Sequence, residues 1–391
     1  MVLVEPNEKV GRKLYITGKG RCNLTNACDR EELMANIVRN GKFLYSALSR
    51  FTPWDTMAFF EQLRVPLKVE RGSRVFPASD RAADIIDALF FRMRELNVQV
   101  IQDRVTALVA DGDRLQGVQL EWRREPLRCG ALILATGGAS YPRTGSTGDG
   151  YRLAESAGHT VTPIRGSLVP LASSDGCCAM LQGLSLRNVR ARVVDGAGRC
   201  VYEEQGELLF THFGLSGPLA LSASAHMGEG AGYVVHIDLK PALDAQKLDQ
   251  RLLRDFETRA NQDFANALGG LVPRSMIPVI IRRTGILGET KVHGIRRAQR
   301  LELLRILKDF SVPISGLRPV EEAIVTAGGV EVTQVEPRTM ASRRMKGLYF
   351  AGELLDVDAY TGGFNLQIAW ATGRAAGQSA AQWVRKETES V

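Results

Sequence analysis

Long apolar runs and a signal-like N-terminus are both missing from this sequence. The longest apolar stretches, such as Ala131–Ala135 and Ile277–Ile281, fall well short of the ~18–20 residues that span a bilayer. Met1–Glu5 has no basic segment leading into an apolar core, as a secretory signal would. We therefore expect a soluble, cytoplasmic protein that does not bind membranes.

Cysteine is also scarce, with six residues in 391. None forms the C-x-x-C pair of a zinc site, and six are too few for a disulfide scaffold in a chain of this length. The cysteines are Cys22, Cys28, Cys129, Cys177, Cys178 and Cys200. We expect reduced thiols and no metal site.

Charge is not massed in any one segment, although the net charge is +7. Basic residues spread along the chain are typical of a solvated surface more than of a nucleic-acid footprint. The composition, 45% hydrophobic and 24% charged, excludes a disordered chain. At ~100–200 residues per domain, the length predicts two or three domains.

Apolar segments with different periods predict an α/β fold. Val2–Glu5 is a short apolar strand that ends in an acid, and Ala131–Ala135 is another that runs into glycines. Residues 80–97 have apolar side chains at spacings of three and four, which predicts a helix that Asp80 caps. Short strands follow this helix, so we predict an α/β sheet with a crossover connection.

The character of the pattern changes along the chain, which predicts an insertion inside a discontinuous domain. Residues 1–163 form the first part of the α/β domain, and residues 337–391 form its second part. Between them we predict a β-rich insert over 164–241, a helical insert over 242–310 and a β-rich return over 311–336.

Three glycine-rich junctions follow apolar strands: Thr136-Gly137-Gly138, Gly352-Glu353 and Gly362-Gly363. Glycine allows a ligand to approach the backbone closely, and a helix N-terminus offers free N–H groups and positive potential. Ligands of open α/β sheets bind beyond the carboxyl ends of the strands. Together with the acid at Glu5, these junctions favour a nucleotide-type cofactor.

Several longer motifs give the sequence a family resemblance. They are Arg12-Lys13-Leu14-Tyr15-Ile16-Thr17-Gly18-Lys19-Gly20-Arg21-Cys22-Asn23-Leu24-Thr25-Asn26, Arg74-Val75-Phe76-Pro77, Ala135-Thr136-Gly137-Gly138-Ala139-Ser140-Tyr141-Pro142, Thr211-His212-Phe213-Gly214-Leu215-Ser216-Gly217-Pro218, and Gly362-Gly363-Phe364-Asn365-Leu366-Gln367. In this order they resemble the BaiN/RdsA family of bacterial NAD(P)/FAD-dependent flavoproteins. Some of its members are described as aminoacetone oxidases or bile-acid reductases.

The resemblance implies a glutathione-reductase-like FAD-binding domain, interrupted by a β-rich and helical substrate domain. It implies that Glu5 holds the adenosine ribose and that Glu353 faces the ribityl chain. Gly362-Gly363 would place a helix N-terminus at the pyrimidine edge of the flavin, where the helix dipole stabilises negative charge on the reduced ring.

The resemblance also suggests further cofactor-binding residues. Arg12, Lys13 and Arg21 are cations suited to the pyrophosphate or the flavin edge, and a solvated surface is the alternative explanation for them. The other candidates are Cys22, Val105, Thr136, Gly137, Gly138, Gly352, Asn365 and Leu366.

One element of the family pattern is absent. No glycines stand at positions i, i+2 and i+5, so the G-x-G-x-x-G loop that seats the pyrophosphate is missing. We expect a gap in the sheet and weak or no FAD binding. A start site assigned too late, giving an N-terminally truncated chain, is the favoured explanation; loss of FAD by a genuinely short protein is the rival.

The leading functional hypothesis is an FAD-dependent oxidoreductase that transfers a hydride to or from a small organic substrate. NAD(P)H or oxygen would be its redox partner. The flavin performs the hydride transfer itself, so a catalytic side chain need not exist. His212 and Tyr360 are the candidate substrate-facing groups, because each lies in a glycine-rich segment.

Two alternatives remain. Cys22 and Cys28 lie where related disulfide oxidoreductases carry a redox pair, but five residues separate them here instead of four, and no C-terminal histidine follows them. A non-catalytic module that binds nucleic acid would use the arginines of the helical insert, but no aromatic stacking motif accompanies them. Those arginines are Arg251, Arg254, Arg282, Arg283, Arg296, Arg297 and Arg300.

Overall fold

A computed structural model describes residues 1–228 and 232–389. The chain forms two compact units. Unit 1 is Met1–Ser167 with Pro319–Val391, and unit 2 is Leu168–Arg318. Within the described residues, no helix has both the length and the apolar character that crossing a membrane requires.

The strands, in chain order, are β1 (Val2–Glu5), β2 (Thr25–Asn26), β3 (Ile37–Arg39), β4 (Leu67–Glu70), β5 (Arg74–Pro77), β6 (Gln99–Gln102), β7 (Val105–Asp111), β8 (Arg114–Leu120), β9 (Leu127–Arg128), β10 (Leu132–Leu134), β11 (Arg165–Ser167), β12 (Leu171–Ala172), β13 (Ser185–Val194), β14 (Cys200–Thr211), β15 (Gly214–Ser216), β16 (Tyr233–Asp238), β17 (Phe310–Ile314), β18 (Gly316–Leu317), β19 (Val325–Ala327), β20 (Leu348–Phe350) and β21 (Asp358–Ala359). Most are short. The helices are α1 (Arg12–Ile16), α2 (Arg30–Ala35), α3 (Gly41–Arg50), α4 (Pro53–Gln62), α5 (Ala82–Glu95), α6 (Asp149–Ser156), α7 (Gly176–Met180), α8 (Gly217–Ser224), α9 (Ala245–Thr258), α10 (Phe264–Ala267), α11 (Ile277–Thr284), α12 (Arg297–Lys308) and α13 (Phe364–Glu389).

Unit 1 contains two separate pairs of parallel strands. β1 pairs with β6, and β10 pairs with β20. Parallel neighbours need a crossover connection, so the crossover predicted from the sequence is present. Among the described residues, no strand joins one pair to the other. The glycine-rich turns after β10 and β20 lie at the carboxyl ends of their strands.

Helix α13 packs on β10 and β20 through a stripe of buried residues. Phe364, Ile368, Ala371 and Ala375 recur at spacings of three and four, and all are buried. Alanine at two of these positions allows the helix backbone to approach the sheet closely. The same cluster includes Leu134 of β10 and Phe350 of β20, so the core of unit 1 holds the helix against these two strands.

Helix α5 begins later than the sequence predicts. It spans Ala82–Glu95, and its N-cap residue is Arg81, whose side chain makes no capping hydrogen bond. The predicted cap at Asp80 is wrong because two cations take its carboxylate: Lys68 Nζ donates to Oδ2 at 2.6 Å and Arg21 Nε to Oδ1 at 2.7 Å.

Unit 2 is an antiparallel sheet covered by helices. The strand order is β17-β16-β13-β14-β15-β12-β18. Buried and exposed residues alternate along β13 from Val189 to Val193, as expected for a sheet with one buried face. That face packs with α9, α11 and α12 in one hydrophobic cluster.

The limits of the insertion differ from the predicted ones. The sequence pattern puts its ends at 164 and 336, whereas unit 2 covers Leu168–Arg318. Residues 319–336 belong to unit 1 because β19 pairs with β11 there, from Arg165↔Ala327 to Ser167↔Val325. The strand pattern after residue 318 does not reveal with which sheet these residues pair.

Candidate functional site

The acid that ends β1 is held by an asparagine that the sequence reading missed. Glu5 Oε1 accepts hydrogen bonds from the backbone N of Asn7 at 2.9 Å and from its Nδ2 at 2.7 Å. Asn7 Nδ2 also donates to the Thr144 carbonyl at 3.2 Å, and its Oδ1 accepts from Arg12 Nη1 at 2.9 Å. Asn7 thus links Glu5 and Arg12, both predicted site residues, to the loop after β10.

Lys13 and Glu353 meet in a second group of polar contacts. Lys13 Nζ lies 2.5 Å from Glu353 Oε2 and 2.8 Å from Ser140 Oγ. Glu353 Oε1 accepts from Ser140 Oγ at 3.1 Å and from the Thr326 backbone N at 2.8 Å. Arg12 and Lys13 are adjacent on α1, so these contacts connect the end of β1 to the turn after β20.

The glycines after β10 are needed because side chains lie directly against them. A Cβ on Gly138 would lie 2.2 Å from Thr326 Oγ1 and 2.9 Å from Glu353 Oε1. A Cβ on Gly150 would lie 1.9 Å from Thr136 Oγ1. Thr136, Gly137 and Gly138 therefore form a closely packed turn beside Glu353.

The Gly362-Gly363 turn lies against β2. Gly363 has φ +100°, and a Cβ there would lie 2.3 Å from the Thr25 carbonyl oxygen. Asn26 Nδ2 donates to the Gly362 carbonyl at 3.0 Å. Asn26 is buried, and among the described residues its Oδ1 has no hydrogen-bond partner, nor has the buried Oδ1 of Asn23. Two acceptor atoms are thus unsatisfied in the segment that meets the start of α13.

Asn365 shapes the turn that leads into α13. Its Oδ1 accepts from the Ala359 backbone N at 3.0 Å, and its Nδ2 donates to the carbonyls of Ala359 at 2.7 Å and Tyr360 at 3.2 Å. Both ends of the side-chain amide are therefore engaged with the chain that precedes the glycines. The backbone N of Gly352 donates to Thr372 Oγ1 at 3.0 Å, which joins the turn after β20 to α13.

Arg21, Cys22, Val105 and Leu366 make other contacts. Arg21 pairs with Glu70 and Asp80, and its guanidinium lies 4.1 Å from the Phe76 ring centroid. These exposed pairings favour the surface interpretation of Arg21.

The other three pack against hydrophobic clusters. Cys22 is buried in a cluster with Leu24 and Phe60, and Leu366 packs against the same cluster. Val105 begins β7 and packs beside Ile101.

The two cysteines considered as a redox pair are separate, buried thiols. Both are free, and they lie in different hydrophobic clusters. Burial raises the pKa of Cys22 to about 12 and the pKa of Cys28 to about 11. A thiol with so high a pKa is a poor nucleophile at neutral pH. The raised pKa values and the separate positions of the two thiols both argue against a disulfide oxidoreductase.

The candidate substrate-facing groups belong to different units. His212 is exposed in the turn between β14 and β15, with its ring centroid 5.0 Å from that of Phe213. Tyr360 lies in unit 1 between β21 and the glycine turn, and its backbone N donates to the Asn36 carbonyl at 3.0 Å. Tyr360 is thus part of the segment that carries Gly362 and Gly363.

Two buried acids precede Tyr360. Arg39 Nε lies 3.6 Å from Asp356 Oδ1 and 3.4 Å from Asp358 Oδ1. Asp358 Oδ2 accepts from Ser167 Oγ at 2.7 Å. Burial raises the pKa of Asp358. The alternation Asp356-Val357-Asp358 was visible in the sequence, but nothing there showed that both carboxylates are buried.

The residues at the start of α13 fit the pyrimidine end of a flavin. That end presents two carbonyl oxygens that flank one N–H group. The first amides of a helix have no acceptor within the helix, and they offer donors for carbonyl oxygens. The unsatisfied Oδ1 of Asn26 offers an acceptor for an N–H. The donor and acceptor types therefore match.

A model of the HI0933-like protein Rossmann domain matches residues 1–379. This chain belongs to the HI0933-like family. The match confirms the predicted Rossmann-type α/β fold and the resemblance to BaiN/RdsA proteins.

Curated relatives of this HI0933-like protein are named as a reductase and as a dihydrouridine synthase. The 3-dehydro-bile acid delta(4,6)-reductase of Clostridium scindens is 33% identical over 389 residues, covering 97% of this chain and 92% of the relative. The ribosomal RNA dihydrouridine synthase of Escherichia coli is 32% identical over 379 residues, covering 97% and 91%. The chain is therefore assigned to an oxidoreductase family.

Among solved structures, glycine oxidase from Bacillus cereus is 10% identical with a TM-score of 0.31, covering 98% of this chain and 97% of its own. A TM-score this low carries no argument about the fold.

Proposed function

We propose that this protein is an FAD-dependent oxidoreductase that reduces a carbon–carbon double bond conjugated to a carbonyl group. The observation that carries the proposal is the glycine turn at the start of α13, where a helix begins with amides that have no acceptor within the helix and where the Oδ1 of Asn26 is unsatisfied among the described residues. The named substrates of the two relatives supply the bond type. A 3-dehydro-delta(4,6) steroid and the uracil ring of uridine both contain a double bond conjugated to a carbonyl.

The proposed FAD site uses the groups described above. The start of α13 holds the pyrimidine ring, and Asn26 accepts its N–H. Glu353 and Lys13 face the middle of the cofactor, and Glu5 with Asn7 faces the adenosine end. When bound and reduced by two electrons, the flavin would supply the hydride and return to oxidised FAD. The protein orients the ring and supplies positive potential from the helix start, which stabilises negative charge on the reduced cofactor.

Tyr360 is the proposed substrate-facing residue of unit 1. Hydride addition to the far carbon of a conjugated double bond leaves an enolate that needs a proton, and a phenol hydroxyl can donate one. Tyr360 stands two residues before Gly362, in the segment that Asn365 fixes. The proton donor would be tested by Tyr360→Phe, with FAD affinity measured beside the rate.

An anaerobic half-reaction tests the proposed chemistry. The protein is loaded with FAD, reduced with NADPH or with dithionite, and mixed with a 3-oxo-Δ4 steroid. We expect the flavin absorbance to return and a saturated ketone to form. Protein that binds FAD, yet is never reoxidised by any conjugated ketone or uracil substrate, would contradict this assignment. Reduction by NADPH, but not by buffer alone, would identify the electron donor.

A uridine of ribosomal RNA is the second candidate substrate. The name of the Escherichia coli relative favours it. Against it, several arginines of the helical segment are already paired: Arg283 with Asp175, Arg300 with Asp249 and Arg251 with Asp255. Ribosomal RNA without dihydrouridine would be incubated with the reduced protein. A gain of two hydrogen masses in one nucleotide would identify RNA as the substrate.

A further inference from the structure

A fully buried glutamine lies one turn inside α13. Gln367 is 0% exposed. Its Oε1 accepts hydrogen bonds from Thr25 Oγ1 at 2.7 Å and Thr56 Oγ1 at 2.8 Å. Its Nε2 donates to the Phe51 carbonyl at 2.9 Å. A buried amide is costly unless it is hydrogen-bonded, so these partners fix the position of the side chain.

The partners of Gln367 belong to three different elements. Thr25 lies in β2, Thr56 lies in α4, and Phe51 is the C-cap residue of α3. One helical turn further on, Trp370 Nε1 donates to the Leu24 carbonyl at 3.0 Å. The first two turns of α13 are thus tied to the strand and helices that surround them.

The same strand that holds Gln367 also lies against the glycine turn. The backbone N of Gln367 donates to the Gly363 carbonyl at 3.0 Å. Thr25, which bonds the Gln367 side chain, has its carbonyl where a Cβ of Gly363 would collide. Gln367 and Gly363 therefore both contact Thr25 of β2. If the start of α13 moved along β2, both contacts would change.

We infer that Gln367 is a positioning residue, which holds the amide-bearing first turn of α13 in the register that the flavin site requires. The inference rests on the proposed function, because FAD is the group that this turn would receive. The amides at a helix start favour negative charge, and reduced flavin carries more of it than oxidised flavin. Loss of the register should therefore weaken binding of reduced FAD more than binding of oxidised FAD.

The test measures the dissociation constants of oxidised and of dithionite-reduced FAD by anaerobic titration. The proteins are the full chain, Gln367→Leu and the milder Thr56→Val, which removes only one hydroxyl donor. We expect Gln367→Leu to raise the dissociation constant of oxidised FAD about tenfold. The dissociation constant of reduced FAD should rise by that factor and by a further factor of about ten. That extra factor corresponds to a two-electron potential lower by about 30 mV. Thr56→Val should shift both constants in the same direction by less.

Gln378→Leu is the matched control, because Gln378 is exposed on the same helix and undergoes the same chemical change. It should bind both forms of FAD as the wild type does. Lower thermal stability of Gln367→Leu or Thr56→Val, with both constants unchanged, would reduce Gln367 to a purely structural residue and overturn the inference. If Gln367→Leu does not fold, the two dissociation constants of Thr56→Val decide whether the inference holds. A wild-type chain that binds neither form would overturn the proposed function itself.

Discussion

At the scale of single residues, Gly363 is a position where the backbone leaves no room for an added methyl group. Its φ is +100°, and a Cβ would lie 2.3 Å from the Thr25 carbonyl oxygen. Gly363→Ala should therefore lower the free energy of unfolding by about 1–3 kcal/mol. Urea denaturation monitored by circular dichroism measures the change.

Gly377→Ala provides the comparison within the same helix. Apart from the nearby backbone of its own helix, a Cβ at Gly377 would meet none of the described atoms within 4 Å, and alanine is the better helix former. This variant should raise the free energy of unfolding by about 0.5–1 kcal/mol. Equal effects at the two glycines would show that the contact with Thr25 is not the constraint.

The buried His159 makes the stability of the folded state depend on pH. Its Nε2 lies 2.7 Å from Ser342 Oγ, and its ring centroid is 4.7 Å from that of Phe350. Burial, with a smaller contribution from the charge of Arg344, lowers the pKa of His159 from 6.5 to about 4. The folded state thus favours the neutral ring, so its contribution to stability is present above pH 6.5 and is lost as the pH falls towards 4.

We expect the wild type to lose about 2–3 kcal/mol from this residue between these pH values. His159→Phe should lose less stability over that interval, as measured by urea denaturation at several pH values. The difference between the two proteins isolates His159, because the buried Asp358 titrates in both. Replacement of the exposed His293 by Asn serves as the control. Parallel pH profiles for wild type and His159→Phe would contradict the account.

Several site residues could not be found from the sequence because their partners are distant along the chain. The Asn7–Thr144 contact joins residues 137 positions apart, and the Thr25–Gln367 contact joins residues 342 apart. Glu5, Lys13 and Glu353 were predicted by resemblance to a family motif. The structure adds what those motifs do not show: that Lys13 bonds Glu353 directly.

At the scale of elements, the turn before α13 depends on one side chain. Asn365 makes three hydrogen bonds to the backbone of Ala359 and Tyr360. Asn365→Ala would leave partly buried backbone groups without partners, so the free energy of unfolding should fall by about 1–3 kcal/mol. The looser turn should also weaken FAD binding. Urea denaturation and FAD titration measure the two effects.

Gln378→Ala is the control for this prediction, because it removes an exposed amide from the same helix. It should change neither quantity. If Asn365→Ala keeps both wild-type stability and wild-type FAD affinity, the side chain does not fix the turn.

Elements with a strong periodic pattern were predictable from the sequence. An element whose boundary depends on charged residues distant in the chain was not. β1 covers Val2–Glu5, as predicted, and the last helix starts at Phe364, directly after the Gly362-Gly363 pair where the family resemblance implies a helix start. In both cases an apolar pattern and a glycine or acid mark the boundary. The start of α5 was missed because Lys68 and Arg21 take the carboxylate of Asp80, and sequence alone does not bring those cations there.

At the scale of the whole molecule, unit 2 has the features of an independently folding domain. Its hydrophobic cluster runs from Leu171 to Ile314 and includes only residues of unit 2. Its two ends lie side by side, because β12 pairs with β18 through Leu171↔Leu317. Residues 168–318 alone should therefore fold and unfold cooperatively in urea. A non-cooperative transition, with exposed hydrophobic surface, would contradict this prediction.

The central claim is that the turn at Gly362-Gly363 belongs to a flavin site. Fluorescence titration of the full chain with FAD tests it most directly, with Gly363→Ala and Gly377→Ala measured in parallel. We predict saturable binding of FAD by the wild type. It should weaken by about tenfold or more in Gly363→Ala and not in Gly377→Ala. No saturable binding by the wild type, or equal binding by all three proteins, would contradict the account.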